Sequence, residues 1–174
     1  DLVNFIVDKV KFILKKHNFS DDIIEAVLSL KESKNYLFPI LCERVNCLND
    51  IKNTNDFKTF LANFKRLNNI IKSNNLSDIS NVKLNPHLFE SSEEEEIYDK
   101  SQNLDINLKK YLTDQEHQGI ILKEIIKLQY VIHSFFEKII VNHEDKKIKI
   151  NRIKLLMELS ERILKFSNFH YIEN

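Results

Sequence analysis

Apolar residues recur at steps of three and four positions along most of the chain, the spacing of an amphipathic α-helix. The first run predicts a helix that ends near His17 and Asn18, with the apolar face Leu2, Phe5, Ile6, Val10, Ile13 and Leu14. Ser20 is then expected to cap a second helix, because the acids Asp21 and Asp22 in its first turn complement the helix dipole. The chain therefore opens with two helices.

Two further helices and a loop follow. A third helix is predicted to begin around Pro39 and to run to about Leu48, since proline suits the first turn of a helix. Residues 55–56 open a fourth, whose apolar face is Phe57, Phe60, Leu61, Phe64 and Ile71. Between Ser73 and Glu90 the pattern lapses into Asn, Ser and Asp with one Pro, which is typical of a loop.

The second half of the chain predicts three more helices. Ser91 or Ser92 caps one that opens with four glutamates at 93–96, which we interpret as a solvated cap. Residues 113–116 have the pattern of a capping box, ahead of the longest apolar face, which runs from 121 to 139. A last helix is predicted over about 147–166. About seven helices result.

Composition supports an all-α fold. The 174 residues contain one glycine, too few for the tight turns of a multi-stranded sheet or for a glycine-rich phosphate loop. A chain of this length can bury a sizeable core, either as a single domain or as two closely packed helical pieces.

Charge and hydropathy restrict the possible partners. The 26 basic and 26 acidic side chains leave a net charge of zero, so any phosphate-binding role must depend on a local patch. The longest uninterrupted apolar stretch, about 36–41, is far below the roughly 20 residues that cross a bilayer, so we expect no membrane association and a cytoplasmic protein. The absence of an initiator Met is expected of a piece of a longer chain.

No catalytic or metal-binding motif emerges, and we predict neither kind of site. Cys42 and Cys47 lie about 140° apart around one predicted helix, so they cannot pair or form a CxxC metal hook. We expect small buried thiols, which suit a reducing compartment. The six histidines are scattered without ligand spacing.

Basic residues are concentrated in two places. One group crowds the start of the last helix and consists of Lys146, Lys147, Lys149, Arg152 and Lys154. The other forms a stripe on the fourth helix and consists of Lys58, Lys65, Asn69 and Lys72. Either group suits phosphate binding, and an ordinary solvated lysine face remains open as an alternative.

Several segments resemble the bacterial glycyl-tRNA synthetase beta subunit. Residues 135–145, beginning Phe-Phe-Glu, and 151–156, Asn-Arg-Ile-Lys-Leu-Leu, resemble its closing signature. The segments at 65–71, Lys-Arg-Leu-Asn-Asn-Ile-Ile, at 85–90, Asn-Pro-His-Leu-Phe-Glu, and at 22–28 are similar to others of that family in the same order. The resemblance covers nearly the whole chain.

The resemblance implies a helical, DALR-type anticodon-binding domain from the C-terminal part of the beta subunit. It also implies a division of the chain into a lead-in segment at residues 1–45 and the anticodon-binding bundle at residues 46–174. It implies that the whole enzyme joins glycine to tRNA(Gly) with ATP and Mg²⁺, as an alpha2beta2 heterotetramer whose alpha subunit carries the adenylate chemistry. This chain itself would then need no cofactor and would hold tRNA without catalysing a reaction. The alternatives are a helical protein-interaction module, or the related domain of another synthetase such as the arginyl enzyme.

Five residues are predicted to contact the anticodon arm: Lys65, Arg66, Asn69, Arg152 and Lys154. Lysine and arginine neutralise phosphates, while arginine and asparagine can also hydrogen-bond base edges. Helix packing or capping is the alternative role for Arg66, Asn151 and Arg152. Tyr98, Tyr111 and Phe169 are candidates for stacking on a base, with core packing as the alternative.

Overall fold

The computed structural model describes residues 2–30, 37–74, 79 and 81–173, without the side chains of residues 2 and 3. Within these residues the chain forms seven α-helices, three 3₁₀ turns and no strand, which confirms the all-α prediction. The helices are α1 (Leu2–Lys16), α2 (Asp21–Leu28), α3 (Phe38–Ile51), α4 (Asn55–Lys72), α5 (Ser92–Tyr111), α6 (Gln118–Lys138) and α7 (Lys146–Leu164). In the same ranges, no helix is long and apolar enough to cross a membrane.

Helix α6 lies at the centre of the bundle and packs against α3, α4 and α5, while α7 packs against α4 and α5. This arrangement follows from the apolar faces, because α6 carries the longest one and buries it on several neighbours. Helix α4 begins where the Thr54 hydroxyl accepts a hydrogen bond from Phe57 N. Three phenylalanines and two leucines on one face of this helix enter the core: Phe57, Phe60, Leu61, Phe64 and Leu67.

The C-terminal segment closes the bundle next to α4. A 3₁₀ turn, Phe169–Tyr171, follows α7 and packs against α2, and Asn168 N donates to Ala26 O at 2.8 Å. The ring of Phe169 lies 5.2 Å from that of Phe60 and 5.9 Å from that of Phe64, both nearly edge to face. This aromatic contact brings the end of the chain onto the middle of α4.

Buried Arg44 joins three helix ends. Its guanidinium donates to Gln118 Oε1 at 2.6 Å, to Leu112 O at 2.7 Å and to Phe166 O at 3.2 Å. Two of these acceptors are backbone carbonyls just beyond the last turns of α5 and α7, where helices leave carbonyls without internal partners. The planar fork of arginine therefore serves the fold at this position.

Two local predictions at helix starts require correction. The box at 113–116 starts a 3₁₀ turn, Gln115–His117, in which Asp114 accepts from Glu116 N, and α6 begins only at Gln118. The four glutamates do not form a uniformly solvated cap, since Glu94 is fully buried. The cause is a buried cationic partner on α7, described below.

The loop and the thiols agree broadly with expectation. Residues 81–85 and 89–91 are irregular around a 3₁₀ turn, Pro86–Leu88, while 75–78 and 80 of the predicted loop lie outside the described residues. Cys42 and Cys47 are free thiols, half-buried rather than buried. The domain boundary at residue 45 stays a prediction; that position lies inside α3, and Val45 is buried in the core.

Candidate nucleic-acid interface

The outer face of α4 is cationic although the chain as a whole is neutral. Four cations on this helix, Lys58, Lys65, Arg66 and Lys72, stand against one acid, Asp56, for a local charge of +3. All four are exposed. Of the ion pairs found among the described residues, none involves Lys58, Lys65 or Lys72. These ammonium groups are therefore available to an anionic partner.

Three of the five predicted contact residues meet in one shallow groove on this face. Lys65, Arg66 and Asn69 line it with Ala62, Ile70 and Ser73, and its volume is about 580 Å³. Helical spacing brings them together, because Asn69 is four positions from Lys65 and three from Arg66, the two steps that make side chains neighbours on a helix surface. The groove, here called the α4 groove, offers an ammonium, a guanidinium, an amide and a hydroxyl side by side.

Arg66 is held in place by α6. Its guanidinium carbon lies 4.6 Å from the centre of the Phe136 ring, and Nη1 lies 4.0 Å from Glu137 Oε1. The cation-π contact fixes the plane of the fork, whereas the long and exposed ion pair contributes little. About half of the Arg66 side chain remains exposed, so the fork can still receive a phosphate or a base edge.

Arg152 does not belong to this surface, and the prediction that it contacts RNA is corrected. Its side chain is only 5% exposed, and all three guanidinium nitrogens donate inside the bundle. Nε donates to Glu94 Oε1 at 2.9 Å, Nη2 to Glu90 Oε2 at 2.9 Å, and Nη1 to Ile140 O at 3.0 Å. Arg152 therefore ties α7 to the start of α5 and to the end of α6.

Glu94 makes this buried ion pair part of a helix cap. Its Oε2 accepts from Glu90 N at 2.9 Å and from the Ser91 hydroxyl at 3.2 Å, while Ser91 Oγ accepts from Glu94 N. A fully buried carboxylate needs both a countercharge and hydrogen-bond donors, and here it has both. We call Glu90, Glu94 and Arg152 the buried ion cluster.

Asn151, next to Arg152, has a matching structural role. Its Oδ1 accepts from Asn85 N at 2.8 Å, and its Nδ2 donates to Asn85 O at 3.0 Å. One amide thus satisfies both backbone groups of a loop residue, which fixes the loop against α7. Asn151 and Arg152 therefore both have the structural role that the sequence analysis gave as the alternative to RNA contact.

Lys154 lies apart from the α4 groove. It is half-buried on α7 and has no ion-pair partner among the described residues. Helix α7 is joined to α4 by a hydrogen bond from the Ser160 hydroxyl to Asn68 Oδ1 at 2.9 Å, but Lys154 does not line the groove. Its contact with RNA stays a prediction.

The middle and end of the chain match a known family. Residues 60–166, more than half of the chain, match the model described as the DALR anticodon binding domain. The chain belongs to this family. The match begins within α4 and ends just after α7, so it includes both the α4 groove and the buried ion cluster.

Several curated relatives of this DALR domain are glycine–tRNA ligase beta subunits. The chain is 27% identical over 172 residues to the glycine–tRNA ligase beta subunit of Buchnera aphidicola subsp. Schizaphis graminum, covering 98% of the chain and 23% of that protein. It is 30% identical over 171 residues to that of Sulfurihydrogenibium sp., covering 97% and 24%, and 30% identical over 161 residues to that of Lactobacillus acidophilus, covering 92% and 22%. The chain thus spans about a quarter of the length of these relatives.

The aromatic residues predicted to stack on a base are engaged within the DALR domain. Phe169 is 2% exposed, Tyr111 is stacked on His117 with the ring centres 4.1 Å apart, and Tyr98 packs against Phe89. Sequence analysis missed His170, which is exposed and lies 5.3 Å, ring to ring, from Phe64 of α4. No periodic signal identifies it, because only the fold brings the last residues onto α4.

The exposed groups around the α4 groove are suited to binding an anionic partner. Among the residues that the structure describes, no group of three or more His, Cys, Asp or Glu is placed to hold a metal ion. Partial burial of the ring, and then the nearby charge of Lys72, lower the pKa of His170 below its ordinary value of 6.5, which favours the neutral imidazole at pH 7. The DALR domain therefore presents cations and amides on α4 beside a neutral aromatic ring.

Proposed function

We propose that this chain is the anticodon-arm-binding domain of a glycine–tRNA ligase beta subunit, and that the outer face of α4 is its RNA-contacting surface. One observation carries the proposal: Lys65, Arg66 and Asn69 converge in an open groove within the part of the chain that matches the anticodon-binding family. The assignment to glycine, rather than to another amino acid, comes from the names of the relatives. In this proposal the cognate RNA is tRNA(Gly).

The chemistry of the groove suits an RNA loop. Lys58, Lys65 and Lys72 neutralise successive backbone phosphates along α4, and this contribution does not depend on base sequence. The Arg66 fork and the Asn69 amide supply the directional hydrogen bonds that a splayed loop base can satisfy. The domain binds, and the reaction takes place elsewhere in the enzyme.

The remaining parts of the enzyme belong to the same proposal. Glycine activation with ATP and Mg²⁺ takes place in the alpha subunit of a cytoplasmic alpha2beta2 assembly. This chain positions the tRNA without a cofactor of its own. The chain matches only about a quarter of each of these relatives, which is consistent with a reaction that takes place outside this segment.

A titration with tRNA(Gly) tests the proposal. The variant Lys65→Ala/Arg66→Ala should bind more weakly, and the slope of log affinity against log salt should become shallower by roughly 1.5, as expected for two lost phosphate contacts. The matched control Lys109→Ala/Lys110→Ala removes the same charge from the exposed last turn of α5. Equal affinities for the two variants, with helicity preserved, would refute the α4 surface. Lys154→Ala, measured separately, decides whether α7 contributes.

A protein-docking function is the second candidate, and the outer face of α1 favours it. Phe5, Ile6 and Phe12 are each more than half exposed there, an unusual cluster for a surface with no partner. This function predicts binding to a partner protein with negligible affinity for tRNA, so the same titration separates the two. Comparison of several purified tRNAs separates the glycyl from the arginyl assignment.

A further inference from the structure

A second groove lies beside the α4 groove, on the other side of Lys65. It has a volume of about 360 Å³, within the range of roughly 300–1,000 Å³ that is typical of small-molecule sites. Its floor is apolar and is formed by the buried side chains of Leu61, Phe64 and Ile172. Its rim is polar and carries Lys65, His170 and Glu173. We call it the C-terminal groove.

The wall of this groove is fixed by the fold. The Asn168 side chain caps the C-terminal turn by accepting from His170 N at 3.3 Å, and Glu173 N donates to Asp22 Oδ2 at 3.2 Å. Phe169 is buried among the phenylalanines of α4, so the chain is anchored just before His170 at Phe169 and again after it at Glu173. The His170 ring is therefore presented at the rim in a defined place, and little ordering is required when a ligand arrives.

The rim has the chemistry of a base site rather than a phosphate site. A phosphate would meet the carboxylate of Glu173, whereas the edge of a base carries donors that a carboxylate accepts and acceptors that an ammonium satisfies. The face of a base stacks on a neutral aromatic ring, which His170 provides, and the apolar floor excludes water beneath it. One planar, uncharged and polar-edged group therefore matches the groove on all sides.

Lys65 connects this groove to the proposed RNA surface. It lines both grooves, so a nucleotide whose phosphate lies on α4 has its base within reach of the C-terminal groove. We propose that the C-terminal groove holds one unpaired base of the RNA loop, stacked on His170, with Lys65 and Glu173 at its edge. This inference rests on the proposed function, since it identifies where that RNA surface accepts a base.

Abasic RNA tests the inference directly. The probes are the anticodon stem-loop of tRNA(Gly) and a set of copies, each with one loop base replaced by an abasic residue so that the phosphates are unchanged. In the unmodified protein, one abasic position should lower the affinity by roughly 5- to 100-fold, the range for loss of one stacked base. In His170→Gln, the intact loop should bind as weakly as that abasic copy, and the abasic change should have little further effect.

Two control variants separate stacking from other effects. His170→Phe keeps an aromatic ring and should retain discrimination between the intact and abasic loops. Lys58→Ala removes a cation of α4 that does not line the C-terminal groove, and should weaken both loops by the same factor. Circular dichroism should show unchanged helicity in each variant, because His170 lies on the surface.

The outcomes distinguish the two proposals. If His170→Gln keeps the full difference between intact and abasic loops while Lys65→Ala/Arg66→Ala still weakens RNA binding, the base groove is wrong and the proposed function stands. If the unmodified protein shows no salt-dependent binding to either probe, the proposed function itself fails. If no single abasic position alters the affinity of the unmodified protein, the inference is likewise overturned.

Discussion

Removing the Arg152 side chain should cost stability and leave the RNA surface intact. In Arg152→Ala, Glu94 would remain fully buried without its countercharge, and Ile140 O would lose its donor. Breaking a buried ion pair by removing one partner costs about 3–5 kcal/mol, because the other charge is left uncompensated. For a chain of this size, that loss corresponds to a fall in Tm of about 6–20 °C.

Urea unfolding followed by far-UV circular dichroism measures this loss. Lys154→Ala, two residues along the same helix, is the matched control: its side chain is half-buried and has no ion-pair partner among the described residues. We expect the control to change the free energy of unfolding by about 0.5 kcal/mol or less. Equal stabilities for the two variants would show that the buried ion cluster does not hold the bundle together.

A double variant separates loss of charge balance from loss of packing. Arg152→Met/Glu94→Gln removes the two buried charges and leaves only Glu90, whose side chain is about half exposed to water. It keeps a side-chain oxygen at position 94 to accept from Glu90 N and the Ser91 hydroxyl. We expect it to recover most of the lost stability, since replacing both partners of a buried pair is often nearly neutral. At a temperature where all variants are folded, tRNA affinity should be unchanged. Weaker binding by a fully folded Arg152→Ala would refute the structural assignment.

Three smaller predictions concern other parts of the bundle. Gly119→Ala should stabilise the protein by about 0.5–1 kcal/mol in the same urea assay, because Gly119 is helical and alanine loses less backbone entropy on folding. The added Cβ would make only ordinary contact with Cys47 Sγ at 3.5 Å, so a loss of stability would show that α3 and α6 are too close for the methyl group. Burial and then the charge of Glu43 raise the pKa of Cys47 to about 12. At pH 8, iodoacetamide should therefore alkylate this thiol at least about tenfold more slowly in the folded protein than in the unfolded protein, as measured by mass spectrometry. Burial raises the pKa of Asp22, but hydrogen bonds from Lys52, Ser20 and two backbone amides outweigh it and hold the pKa below the ordinary 3.8. The stabilisation of the fold by ionised Asp22 should therefore be complete above pH 3.8 and should be lost as the pH falls through the lowered pKa. In Asp22→Asn, the free energy of unfolding should fall less steeply with acid than in the unmodified protein.

The helices were predictable because their signals are local. The three- and four-residue spacing locates α4 and α6 to within a few residues, since each buries one long apolar face. The errors lie at ends that depend on distant partners. At residues 113–116 the capping pattern is present, but the chain first makes a 3₁₀ turn whose next residue, Gln118, is engaged by buried Arg44.

The candidate site likewise contains residues that local helix spacing predicts and residues whose positions depend on distant packing. Lys65, Arg66 and Asn69 share a helix face by spacing alone, so the sequence suffices to bring them together. Arg152 has an unremarkable position in its own helix, and only the approach of Glu94, 58 residues away, shows that it is buried. His170 could not be predicted for a similar reason: its position beside α4 depends on the packing of the C-terminal turn.

The residues that carried the family resemblance fall into two groups with different physical tasks. Asn85, Glu90, Asn151 and Arg152 stabilise the junction of the loop with α5 and α7, and their polar groups are satisfied inside the protein. Lys65, Arg66 and Asn69 have exposed polar groups that a ligand can satisfy. A neutral chain can therefore still offer a cationic face, because its acids are used elsewhere, as in the buried ion cluster, and only Asp56 lies on α4. In a bundle built this way, neutralising α4 should weaken RNA binding without changing the stability of the fold, whereas breaking the buried ion cluster should destabilise the fold without a specific effect on RNA binding.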